Sequence, residues 1–203
     1  MTSNRATTRK VVGSLAIAGA AAAVAGLGTF GTFTSSTTPV ATQVTTGSVA
    51  INLAQPSGSY TIPATTTGFV PGDSLTRAVT LNNTGTAGLS SITLGTTATA
   101  SNLLSTDTVN GLQLAVKSCS VPYTQGGTAA APTYTCSGAE TPLLSGGAVS
   151  NAQLPGLASL NPGGSDNLVF TISLPTSAGN TFQGLSNTLN LTFTGVQRTG
   201  SAR

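Results

Sequence analysis

Apolar and polar residues alternate along two segments near the C-terminal end of the chain. The first has an apolar side chain at every second position: Leu168, Phe170, Ile172 and Leu174. The second repeats the pattern at Leu189, Leu191 and Phe193. A period of two puts these side chains on one face of a sheet and the intervening hydroxyls and amides on the other, which predicts two β-strands. Pro162 before the first segment and Pro175 after it mark its ends.

Shorter stretches of the same alternation predict further strands at residues 48–53, 75–81, 89–99 and 111–119, with a short return strand at Tyr134 and Cys136. The apolar positions expected to face inward in these strands are Val49, Ile51, Leu53, Leu75, Val79, Leu81, Ile92, Leu94, Leu112, Leu114 and Val116. Two further elements are considered, an edge strand around Tyr60 and Ile62 and one helical turn near residues 149–153. Many short strands separated by Gly- and Pro-containing turns predict an all-β antiparallel sandwich.

This sandwich is expected to form one domain over residues 48–198, followed by a tail at residues 199–203. Arg77 is in phase with the apolar set of its strand. Either the strand bulges there, or Arg77 lies at the rim with its stem packed and its charged group in water.

The N-terminal residues predict export from the cell. Residues 1–10 are polar and basic, and residues 11–27 are uncharged and rich in Ala, Gly and Val. Small residues at Thr29 and Gly31 suit a signal peptide over residues 1–31 that is cleaved between Gly31 and Thr32. The alternative is a membrane anchor that is retained. Residues 32–47, the N-terminal arm, are Thr-rich and polar, and form either a loose arm or an exposed strand.

Charge changes the picture once the leader is set aside. The remaining cations are Arg77, Lys117, Arg198 and Arg203, and the acids are Asp73, Asp107, Glu140 and Asp166. Four cations minus four acids gives a net charge of zero. The chain after residue 31 therefore has no basic patch of the kind that binds nucleic acid. A mature protein of zero net charge has little electrostatic protection against self-association.

The residue inventory also argues against catalysis. The chain has no His, which excludes Ser-His-Asp and Cys-His catalysis and most zinc sites. A Ser-Lys pair would need Lys117, whose neighbour Ser118 points to the opposite face of the strand. Asp73 and Asp166 follow Pro-Gly turns and are read as turn-forming acids in preference to calcium ligands. We therefore expect no catalytic residue, no metal, no cofactor and no small-molecule substrate.

The two cysteines, Cys119 and Cys136, flank a Gly-, Ala- and Thr-rich loop. In a secreted chain they predict a disulfide. The rival interpretation, two free thiols or a metal pair, lacks further ligands. Because Leu112, Leu114 and Val116 face inward, Cys119 is expected to face outward unless the strand bulges.

Several short motifs resemble the TasA/camelysin family of secreted bacterial proteins. They are GLGTFGTF at the end of the leader, TTGSVAINL, VPGDSLTRAVTLNNTG and NPGGSDNLVFTISLP. The most specific is the turn GNTFQG at residues 179–184, followed by a strand that ends in Gln197.

The resemblance implies a jelly-roll β-sandwich that is secreted through a dedicated signal peptidase and assembles into fibres of the extracellular biofilm matrix. In such fibres the N-terminal segment of one subunit completes a sheet of the next, so the main partner is another copy of the chain. Some family members are described as metallo-endopeptidases, and a chain without His does not match that activity. We therefore expect a structural fibre subunit of the matrix or cell surface; the alternatives are a camelysin-type endopeptidase and an adhesin-like binding module.

Overall fold

The structure is a computed structural model and describes residues 47–56, 69–129 and 131–200. Several predictions concern residues outside these ranges. They are the leader at residues 1–31, the cleavage position between Gly31 and Thr32, the arm up to residue 46, the edge strand around Tyr60 and Ile62, and the last three residues of the tail.

The described residues fold almost entirely into β-strands. The strands are β1 (Ile51–Ala54), β2 (Ser74–Asn83), β3 (Leu89–Ala98), β4 (Gln113–Cys119), β5 (Thr124–Gly127), β6 (Pro132–Thr135), β7 (Glu140–Gly147), β8 (Asn151–Gln153), β9 (Ser165–Ser173) and β10 (Leu189–Gln197). One short helix, α1 (Leu103–Thr106), and two 3₁₀ turns, Ala158–Leu160 and Asn180–Phe182, lie between them. The all-β prediction is confirmed.

These strands form antiparallel sheets whose register follows the alternation in the sequence. A five-stranded sheet has the order β1-β2-β9-β4-β7, a three-stranded sheet the order β10-β3-β8, and β5 pairs with β6. Val79 lies opposite Leu168 in the β2–β9 pair, and Phe193 lies opposite Leu94 in the β10–β3 pair. Directly opposed residues share one face of a sheet, so the predicted apolar positions meet across the strands.

The main core lies between the five-stranded and three-stranded sheets, which gives the predicted sandwich. Its largest fully buried apolar side chains come from both sheets and from the loop after β8: Leu81, Ile92, Leu94, Leu114, Leu154, Leu168 and Val116. Burial of each such side chain contributes about 1.5–3 kcal/mol before chain entropy is counted.

The structure corrects the prediction at three places. Residues near 149–153 form no helical turn, because Asn151–Gln153 is a strand that pairs with β3. β7 occupies a segment to which no strand was assigned, since Pro142 and two glycines hide its alternation. Val49 and Leu53, expected to face inward, are each 44% exposed.

Arg77 fits neither of the two explanations considered for it. The β2–β9 register is continuous at this position, with Arg77 opposite Phe170, so the strand does not bulge. The side chain is buried, and its Nη1 donates a hydrogen bond to the Thr76 carbonyl at 2.8 Å.

Within the described ranges, no helix is long and apolar enough to cross a membrane.

Candidate assembly surface

Two edge strands lie on one side of the sandwich and leave a gap between its sheets. β1 is an edge of the five-stranded sheet, and β10 is an edge of the three-stranded sheet. Residues 51–53 of β1 and 191–193 of β10 line a gap of about 310 Å³, and the two strands belong to different sheets. We call this side of the molecule the open side.

β10 presents a long edge without the usual protection. Its nine residues include no charged residue and no proline. In the described part of the chain it pairs only with β3, and no described strand pairs with its other edge. Natural proteins commonly protect such edges with charge, proline or a covering segment, because an unpaired edge accepts further strands.

The five-stranded sheet is also incomplete on the open side. β1 has four residues and pairs with residues 80–83 of β2. Residues 74–79 of β2 pair with β9 on one side and have no strand partner among the described residues on the other. Among the described residues, the open side therefore leaves part of each sheet without a strand partner.

A larger cavity of about 1140 Å³ lies between the sheets and shares Leu53, Leu191 and Phe193 with the gap. Both sheets contribute apolar side chains to its wall, among them Leu75, Val79, Phe170, Ile172, Leu189, Leu191 and Phe193. Asn180, Gln183 and Asn187 add amide groups, and none of the described residues that line the cavity is charged. Such a wall suits a neutral, largely apolar occupant.

The wall residues that belong to β9 and β10 were predicted to be core residues, but they are incompletely covered. Phe170, Ile172, Leu191 and Phe193 are half-buried, whereas Leu94 on the closed part of the core is 0% exposed. The alternation predicted the correct face for each of these side chains. It could not show that the described sandwich lacks a cover over part of this face.

The opposite side of the sandwich is protected. Its edge strand β7 contains Glu140 and Pro142, and the β4–β7 register shifts between Val116 and Lys117. The other edge strand on that side, β8, has three residues. Charge, proline, a bulge and a short strand are all devices that discourage further pairing.

The predicted disulfide between Cys119 and Cys136 is present, with the two Cα atoms 5.8 Å apart. It holds the β5–β6 hairpin, which we call the flap, over the outer face of the five-stranded sheet. Cys119 does point away from the main core, as its phase predicted. It is nevertheless buried, in a small second cluster with Ala78, Tyr123 and Val169.

A polar network anchors one end of the flap. The Tyr123 hydroxyl donates to Glu140 at 3.2 Å, and Lys117 Nζ lies 2.9 Å from the other oxygen of the same carboxylate. Burial raises the pKa of Tyr123 well above its usual value, and the charge of Glu140 and the hydrogen bond to it act in the same direction. The hydrogen bond from Lys117 lowers the pKa of Glu140. These interactions stabilise the flap, which is a surface element.

The acids that sequence reasoning singled out serve local backbone structure. Asp73 accepts a hydrogen bond from the Val70 N–H at 2.8 Å. Asp166 accepts two, from the N–H groups of Ala158 and Ser159, each at 2.8 Å. The described residues contain no group of three or more His, Cys, Asp or Glu placed to hold a metal ion.

The outer face of the three-stranded sheet carries mainly hydroxyl and amide side chains, and we call it the hydroxyl-amide face. It consists of the outward residues of β10, β3 and β8: Asn190, Thr192, Thr194, Val196, Ser91, Thr93, Gly95, Thr97, Asn151 and Gln153. None of them is charged, and Val196 is the one large apolar member, at 51% exposure.

Comparison with models of known protein families finds no match for this chain, and a search of curated proteins also finds none.

Proposed function

We propose that this chain is a secreted structural protein, a jelly-roll sandwich whose copies polymerise into fibres of the extracellular biofilm matrix or cell surface. In the fibre, the N-terminal arm of one subunit, residues 32–47, is added as a strand to the open side of the next. The observation that carries the proposal is the uncharged nine-residue edge of β10 beside an apolar, half-covered cavity.

The chemistry of the arm fits this side. The arm contains no charged residue, like the cavity wall. In an extended strand Val40, Thr42 and Val44 share one face, so two apolar side chains can enter the cavity while the backbone pairs with the edge. Strand addition satisfies the free N–H and C=O groups of the edge and covers the half-buried wall in one step.

The length of the arm is also sufficient. It has 16 residues (47 − 32 + 1), which span up to about 50 Å at 3.4 Å per residue. Pairing along the nine residues of β10 uses little more than half of it and leaves the rest as a connection. A donor on one subunit and an acceptor on the next form a head-to-tail contact, which gives open filaments when the rotation does not close.

The test compares the mature chain, residues 32–203, with a variant that lacks residues 32–46. We expect fibres of the mature chain by electron microscopy and a folded, non-assembling monomer of the variant. A synthetic peptide of residues 32–47 should bind this monomer. The matched control peptide, V40D/V44D, removes two apolar side chains worth about 1.5–3 kcal/mol each, so it should bind about a hundredfold or more weakly.

Each outcome has a distinct meaning. Fibres of the truncated variant would show that the arm is not the donor. Absence of fibres from the mature chain would refute the structural function itself. Chelator-sensitive cleavage of casein by the pure protein would favour the endopeptidase alternative, and binding of glycans or surfaces by the monomer would favour the adhesin-like one.

A further inference from the structure

Two strands on the open side lack a described partner along part of one edge, and they differ in charge. β10 has no charged residue in its nine positions. β2 carries Arg77 within residues 74–79, the part of the strand that no described strand covers on the side of β1. An incoming arm therefore meets an uncharged strand in one sheet and a guanidinium group in the other.

The hydrogen-bond register shows which backbone groups of β2 lie on this edge. In an antiparallel pair, alternate residues direct their N–H and C=O groups toward the same neighbour. The Asp73 carbonyl accepts from the Leu174 N–H at 3.0 Å, so the odd-numbered residues of β2 face β9. The Thr84 N–H donates to the Ala50 carbonyl at 2.9 Å, so the even-numbered residues face the side of β1. The carbonyl of Thr76 therefore points to the open side.

Arg77 caps this carbonyl. Its Nη1 donates a hydrogen bond to the Thr76 oxygen at 2.8 Å, and the side chain is only 9% exposed. A hydrogen bond from a charged guanidinium is stronger than the neutral bond that a strand N–H would make to the same oxygen. An incoming strand would have to displace this bond and move a buried charged side chain. Inward-pointing charged residues are one of the devices by which natural sheets block an edge.

The position that Arg77 occupies is otherwise suited to strand addition. β1 ends at Ala54, opposite Thr80, so a strand added along residues 74–79 would continue the line of β1. Leu75 and Val79, on either side of Arg77 in the inward phase, both line the cavity. Apolar side chains of a strand added here would therefore reach the same cavity as those of a strand added to β10.

We propose that Arg77 closes the edge of β2 to strand addition, so that the arm of a neighbouring subunit pairs with β10 alone. This inference rests on the proposed function, because it specifies which of the two edges accepts the arm. Its consequence is the shape of the polymer. A subunit with one donor arm and one acceptor edge forms an unbranched filament, whereas a second acceptor at β2 would let two arms join one subunit.

The first test counts peptides by native mass spectrometry. The variant that lacks residues 32–46 is titrated with the peptide of residues 32–47, and it should bind one peptide. Arg77→Leu removes the donor and the charge but keeps an inward apolar side chain, so it should bind two. Arg77→Lys keeps a positive charge and a hydrogen-bond donor and should bind one. The matched control is Lys117→Leu, which removes an exposed cation from β4 and should also bind one.

The second test uses amide exchange and does not depend on the folding of Arg77→Leu. The N–H groups of Thr76 and Ala78 point to the same edge as the Thr76 carbonyl, because both residues are even-numbered. When the peptide binds the truncated parent, exchange should slow in β10 and stay unchanged at Thr76 and Ala78. In Arg77→Leu the peptide should slow exchange at these two residues as well.

The outcomes separate the two proposals. The inference is wrong if the truncated parent binds two peptides, if the peptide slows exchange at Thr76 and Ala78 there, or if folded Arg77→Leu still binds one. Binding of two peptides by Lys117→Leu would also refute it, since the position of Arg77 would then be irrelevant. If the truncated parent binds no peptide at all, the proposed function fails, and this inference fails with it.

Discussion

Reduction of the Cys119–Cys136 disulfide should lower the free energy of unfolding by about 3 kcal/mol while leaving the sandwich folded. Reduction is the most specific perturbation, because it breaks only the S–S bond. Both cysteine side chains remain in the protein, so none is removed from the second cluster. The chain has two cysteines in total, so a reductant has a single target.

The magnitude follows from the loop that the bond closes. The sequence separation of 17 gives a loss of unfolded-state entropy worth about 3 kcal/mol at 25 °C. With a urea dependence of about 1–3 kcal/mol per molar, the unfolding midpoint should fall by about 1–3 M. The main core is expected to survive, because Leu81, Leu94 and Leu114 lie on the other side of the five-stranded sheet from the flap.

Tyrosine fluorescence provides a local signal. The chain has three tyrosines and no tryptophan, and two of the three, Tyr123 and Tyr134, pack in the second cluster under the flap. Reduction should therefore change tyrosine emission at urea concentrations where circular dichroism still reports a folded sandwich. Amide exchange of β5 and β6 should accelerate over the same range.

The control is the double variant C119S/C136S, whose stability should not respond to the reductant. The reasoning is refuted if the reduced parent protein keeps both its unfolding midpoint and slow amide exchange in β5 and β6. Loss of the whole sandwich on reduction would also contradict it, since the flap would then be part of the main cooperative unit.

Two further predictions concern stability. Burial raises the pKa of Tyr123, so above about pH 10 the unfolded chain releases the phenolic proton while the folded chain retains it. The contribution of Tyr123 to the free energy of unfolding is therefore fully present below about pH 10. It is lost as the pH rises toward the pKa of Tyr123 in the folded protein. Urea unfolding across alkaline pH should show this loss, and Tyr123→Phe should remove most of it. Leu81→Ala, at a position with 0% exposure, should destabilise the monomer by about 2–5 kcal/mol, whereas Phe193→Ala on the half-covered cavity wall should affect the monomer less and fibre formation more. Equal losses of monomer stability in both variants would show that the cavity is already filled within the subunit.

The sequence predicted the architecture well where alternation is regular. The apolar positions of β9 and β10 pack on the predicted face, and Cys119 has the predicted outward phase, because a period of two in a strand leaves little choice of face. Elements whose residues interrupt the alternation were missed. The proline and glycines of β7 obscure its period, and α1 is only one turn long, held by a capping box between Asn102 and Ser105.

The candidate surface could not be predicted from local pattern, because it depends on which strands become neighbours. Alternation identifies Phe170 and Phe193 as inward residues, but it does not show that they line a cavity beside the short strand β1 and beside β10, which pairs only with β3 among the described strands. The burial of Cys119 likewise depends on the flap folding back over the sheet. Both features result from strand order, which the sequence of a single strand does not contain.

The position of the disulfide relative to the open side connects stability with assembly. Under the proposed function, a newly exported subunit must stay folded until the arm of a neighbouring subunit covers the apolar wall of its cavity. The subunit then lacks part of the burial that stabilises a complete sandwich, and a covalent link offsets this deficit without occupying the edge where the neighbour binds. The bond lies on the outer face of the five-stranded sheet, and the cavity lies on its inner face. The bond therefore stabilises, from the outer face, the sheet that lines much of the cavity. Reduction should therefore shorten the lifetime of the monomer more than that of the fibre, in which a donated strand covers the same wall.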